Sequence, residues 1–64
     1  MTSGRSDLVD VSGEIRRETE KAILFYDGKA EVWLPKSLVE VERKERGLVE
    51  VAMPAWLAMR EGLI

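Results

Sequence analysis

Ala22-Ile23-Leu24-Phe25-Tyr26-Asp27-Gly28-Lys29-Ala30-Glu31-Val32-Trp33-Leu34 is the stretch that decides the fold. Two runs rich in β-branched and aromatic residues flank Asp27-Gly28. Asp-Gly is a favoured type I′ hairpin turn, because both central residues need positive φ. A two-residue turn pairs Tyr26 with Lys29, Phe25 with Ala30, Ile23 with Val32 and Ala22 with Trp33. One face then carries Ile23, Phe25, Ala30, Val32 and Leu34, which is uniformly apolar and reads as core. The other carries Leu24, Tyr26, Lys29, Glu31 and Trp33 and reads as partly wet. A three-residue turn would instead bring Leu24 and Tyr26 inward.

Reading on from this hairpin, Pro35 ends the second strand, since it cannot donate to a ladder, and Lys36-Ser37 continues the turn. Val39, Val41 and Arg43 then alternate with Leu38, Glu40 and Glu42, the period of a half-exposed strand. Glu42 to Arg46 is a charged reverse segment with Gly47 as its flexible point. Leu48 to Met53 alternates again, with Val49, Val51 and Met53 on one face, so Val39–Arg43 and Leu48–Met53 form a second hairpin. Pro54 suits the first position of a helix, and Ala55 to Glu61 are mostly good helix formers. The expected helix spans Pro54 to Glu61, with the stripe Trp56, Met59 and Leu63 against the sheet. Gly62 is placed for a left-handed C-cap.

Before the hairpin the signal is weaker. Leu8, Val9 and Val11 start a strand that Ser12-Gly13 is expected to break. Glu14 to Lys21 is densely charged, with Ile15 its only large apolar residue, and reads equally as a wet strand, a helical turn or a loop. Residues 1–7 read as a disordered leader, and residues 8–64 as a single small domain. The fold class expected is mainly β (α+β): a four- to five-stranded antiparallel sheet or barrel-like meander with one short C-terminal helix.

Length limits what this fold can do. A chain of 64 residues buries only about 60% of its unfolded surface, so small domains often add a disulfide, a metal or a partner subunit. The sequence has neither Cys nor His. Disulfides and thiolate sites are excluded, and the commonest metal ligand and general base are missing. No cofactor is expected, and self-association is the remaining staple. With 12 acidic and 10 basic residues, the formal charge is −2, unlike the strongly basic balance of proteins held on nucleic acid by bulk charge. The first residues lack the apolar segment of a signal peptide, and no apolar run approaches the roughly 18 residues of a membrane helix. A cytoplasmic location with no membrane contact is expected.

Catalytic patterns are absent. The acids are interspersed with bases and read as solvated faces. Ser37 follows Lys36, but adjacent residues of an extended chain point apart, and no nucleophile elbow or phosphate loop is present. An enzyme is not expected, nor is a small-molecule substrate. Trp33 is the residue of interest, with Tyr26, Lys29 and Lys36 as its companions in an interaction face. Three readings of that face stand: Trp33 is covered by the chain's own helix or N-terminal segment; Trp33 and Tyr26 anchor a protein interface; or aromatic and basic side chains stack and hold a single-stranded nucleic acid. Basic residues also group at Arg16, Arg17 and Lys21, and at Arg43, Lys44 and Arg46, each interrupted by glutamates.

Val32-Trp33-Leu34-Pro35-Lys36-Ser37, with Pro54-Ala55-Trp56-Leu57-Ala58 and Gly62-Leu63, resembles short uncharacterised proteins of bacteria and their phages. These share a Trp-x-Pro-Lys-Ser stretch after an Asp-Gly hairpin and a C-terminal Trp-Leu-Ala helix. The resemblance covers Lys21 to Ile64 and implies a phage or mobile-element origin, near replication and recombination genes. It assigns no functional residue. The expected function is a small non-catalytic binding or regulatory module whose partner is another protein or a second copy of itself, a homodimer. The alternative is a single-stranded nucleic-acid-binding module that uses the Trp33 face.

Overall fold

A computed structural model describes residues 7–64 of the chain. The expected leader over residues 1–7 therefore lies outside the described residues, except for exposed Asp7. Among the described residues five strands form one antiparallel sheet: β1 (Leu8–Glu18), β2 (Ala22–Tyr26), β3 (Glu31–Pro35), β4 (Glu40–Arg43) and β5 (Leu48–Pro54), followed by helix α1 (Ala55–Arg60). The strand order is β3-β2-β1-β5-β4. The sheet class and the C-terminal helix are those expected from the sequence.

The segment before the hairpin is an unbroken central strand of 11 residues. Its first part, Leu8 to Glu14, pairs with β5, and its last part, Glu14 to Glu18, pairs with β2. Ser12-Gly13 does not break it. Gly13 marks the crossing of the two ladders: a Cβ there would lie 2.2 Å from the Tyr26 carbonyl oxygen and 2.8 Å from Phe25 Cζ. Glycine lets the neighbouring strand and the Phe25 ring approach that closely. A register shift between Ile15 and Arg17 marks a bulge at Arg16, and bulges bend and twist the strand that carries them.

The β2–β3 hairpin keeps the expected faces but not the expected turn. Its register pairs Tyr26 with Glu31, Phe25 with Val32, Leu24 with Trp33, Ile23 with Leu34 and Ala22 with Pro35. The loop is thus four residues, Asp27 to Ala30. The Asp27 carboxylate closes it by accepting the backbone N–H groups of Lys29 and Ala30, both at 2.9 Å, and Gly28 supplies φ +104°. A shift of two residues preserves side-chain parity. Ile23, Phe25 and Leu34 are therefore buried and Val32 is half-buried, whereas Ala30 leaves the strand and is exposed.

β4 pairs with β5 from Glu40↔Ala52 to Arg43↔Val49, the second hairpin read from the sequence. Val49, Val51 and Met53 line the core with Ile23, Phe25, Leu34, Leu57 and Ala58. The helix docks on a different face from the expected one. Leu57 and Ala58 are fully buried, while Trp56 and Met59 are 51% and 65% exposed. Six residues make fewer than two turns, so spacing alone cannot choose between the stripes. The junction chooses: Met53 points inward near the end of β5, and the chain leaves through Pro54 at φ −61° and ψ 142°, which brings the positions four and five residues past Met53 over the core. The C-cap forms as expected. Gly62 at φ +77° donates to the Met59 carbonyl at 3.2 Å and Leu63 donates to the Ala58 carbonyl at 2.8 Å, a Schellman pair. No helix among the described residues is long and apolar enough to cross a membrane.

Candidate interaction face

The ladder registers lay out the outer face of the sheet as rows across the strands. Arg17, Leu24 and Trp33 form one row through β1, β2 and β3; Glu14, Tyr26 and Glu31 form the next. Ala22 and Pro35 follow on the other side of Trp33. Trp33 therefore has Leu24 directly opposite and Tyr26 diagonally across, within aromatic reach. It is 48% exposed. Neither the helix nor any described part of β1 covers it, because the helix lies on the opposite face, against the core.

Tyr26 is half-buried. Its hydroxyl donates to the Gly28 carbonyl at 3.0 Å, and the Arg16 guanidinium sits over its ring, 4.4 Å from the centroid. The bulge explains that position by re-aiming Arg16 out of strict alternation. Arg16 is also flanked by Glu31 at 3.7 Å and Glu14 at 3.8 Å. The charges at this corner of the face thus meet one another, in exposed pairs that contribute little to stability.

The two lysines are not brought to Trp33. Lys29 lies in the turn, exposed, with its backbone N–H bound to Asp27. Lys36 lies beyond the far end of β3, and its Nζ is 2.7 Å from Glu18. Glu18 also meets Arg43 of β4 at 3.6 Å, so one exposed carboxylate at the end of β1 lies between basic groups from both flanks of the sheet. The hydrogen bond and charge of Lys36, then the charge of Arg43, hold the Glu18 carboxyl below its usual range. The backbone N–H groups of Ala30, then Lys29, do the same for Asp27. Of the four residues named from the sequence, the structure unites Trp33 and Tyr26. The residues that share this face with them are Leu24, Pro35 and, by its register opposite Leu24, Arg17. Leu24 was already placed with Trp33 by alternation. Arg17 could not be, because Glu14 to Lys21 gave no clear strand signal.

The arrangement offers an apolar patch with an aromatic centre and a charged border in which Arg16 and Lys36 are ion-paired. Comparison with protein-family models, curated proteins and solved structures finds no match for this chain.

Proposed function

We propose that the chain is a small non-catalytic binding module of the cytoplasm that works through protein–protein contacts, first of all with copies of itself, using the Trp33 face. The observation that carries this reading is the balance of its apolar residues. Among the described residues, eight hydrophobic ones are buried, and eight large ones stay at least 36% exposed: Leu8, Trp33, Leu38, Val41, Leu48, Trp56, Met59 and Ile64. A domain with so small a core and no disulfide gains most from covering such residues with a partner. Trp33 is the best placed of them, on a rigid strand beside Leu24 and Pro35, and tryptophan is the residue type most enriched among interface anchors.

The charges around Trp33 favour protein over single-stranded nucleic acid. Arg16 is engaged by two glutamates and Lys36 by Glu18, so two of the basic groups that would meet phosphates are already paired, which leaves Arg17 and Lys29. Labelled single-stranded DNA is expected to show no salt-sensitive binding. Light scattering tests the main reading: the wild type should exceed the 7.3 kDa of one chain with rising concentration, and Trp33→Ala should return it to the monomer while keeping a cooperative melt. A monomer at every concentration contradicts the proposal.

A further inference from the structure

Resting on that reading, we infer that the self-association is an edge-to-edge pairing: β3 of one copy runs antiparallel to β3 of a second copy, about a two-fold axis at Trp33, to make one continuous ten-stranded sheet. Alternate residues of β3 turn their backbone groups away from β2. Asp27 N–H donates to the Ala30 carbonyl at 3.2 Å, and Lys36 N–H donates to the Lys21 carbonyl at 2.8 Å. These bonds bracket the β2–β3 ladder, in which hydrogen-bonded and non-bonded pairs alternate. With the observed register, Phe25–Val32 and Ile23–Leu34 are the bonded pairs. Glu31, Trp33 and Pro35 are the non-bonded ones, and their backbone groups face away from β2. Among the described residues no strand lies on that side.

The two edges of the sheet differ in what they would accept. β4 reads Glu40-Val41-Glu42-Arg43 and is exposed throughout. The same alternation, anchored by Lys44 N–H donating to the Leu48 carbonyl at 2.8 Å, turns Val41 and Arg43 outward. A two-fold pairing of β4 with itself then sets Glu42 opposite Glu40, Glu42 opposite Glu42, or Arg43 opposite Arg43 of the second copy. Like charges opposite one another disfavour it, and a charged edge is a known protection against such pairing. β3 reads Glu31-Val32-Trp33-Leu34-Pro35 and has one charge.

Pairing β3 with itself about Trp33 aligns all five residues. Trp33 meets Trp33 of the second copy on the outer face. Val32 meets Leu34 on the inner face, where both already border the core. Glu31 meets Pro35, so the two Glu31 side chains stand at opposite ends of the interface. Each copy offers two outward N–H groups, from Glu31 and Trp33. Both find acceptors: the Trp33 groups exchange bonds with each other, and each Glu31 N–H reaches the Pro35 carbonyl opposite. Pro35 has no N–H to leave unpaired. A two-fold pairing closes on itself, whereas joining β3 to β4 of another copy would continue into a filament.

Amide hydrogen exchange of the wild-type chain, read residue by residue in dilute and in concentrated solution beside light scattering, tests the pairing. Val32 and Leu34 donate to β2 and should be protected at both concentrations. The Trp33 amide faces outward and should slow by at least about tenfold only where the chain self-associates. A dimer whose Trp33 amide exchanges at the dilute rate overturns the edge pairing and leaves self-association standing. A chain that is monomeric throughout overturns both.

Discussion

Gly13 and Trp33 are residues whose roles come from the strands beside them. At Gly13 a single methyl group would collide with backbone, the Tyr26 carbonyl oxygen at 2.2 Å, so the clash cannot be relieved by a rotamer change. Gly13→Ala should cost about 1–3 kcal/mol or more, as overpacking does, and a denaturant melt should show it. Gly28→Ala meets no atom within 4 Å and suffers only from its φ of +104°; its loss should be the smaller of the two in the same melt. Glu18 and Asp27 set the response to acid. Both carboxyls are held below their ordinary values of 4.5 and 3.8. A depressed folded pKa means stability that is present above the unfolded value and lost as pH falls through the folded one. The melting temperature should therefore hold down to about those ordinary values and drop below them. In Glu18→Gln the part of the drop that begins near 4.5 should shrink; an unchanged acid profile would show that the Lys36 and Arg43 contacts carry no linkage.

At the scale of elements, α1 gives the clearest contrast between sequence and structure. Leu57 is fully buried and Trp56 half-exposed. Leu57→Ala should cost about 2–5 kcal/mol by opening a cavity, and Trp56→Ala about 1 kcal/mol or less as a surface change. Thermal melts that rank them the other way would place the helix on its other stripe. The strands and their faces were legible because parity survives uncertainty in loop length: Val32 and Leu34 share a side whether the turn has two residues or four. The loop length was not legible, because it depends on whether the Asp27 carboxylate caps two backbone N–H groups. Helix phase failed for a related reason. In a six-residue helix the geometry of the Met53-Pro54 junction outweighs periodicity. β1 was obscured by its charge, which fits a long central strand only because its outward residues alternate with Val9, Val11 and Ile15. In the candidate interaction face, the side of the strand that carries Trp33 was legible from parity; the 48% exposure of Trp33 was not, because it depends on where the helix docks. The pairing of Lys36 with Glu18 was not, since it joins residues brought together only by the full sheet.

At the scale of the whole molecule, the proposed gain for a chain this small is the stability that comes from covering the Trp33 edge with a second copy. Association that favours the folded state raises stability with concentration by mass action. The most direct measurement is therefore the melting temperature of the wild type and of Trp33→Ala across a wide range of chain concentration. The wild type should melt at higher temperature as concentration rises. Trp33→Ala should melt cooperatively at a temperature that does not move, near that of the dilute wild type. A wild-type melting temperature that stays constant over the whole range would contradict the account.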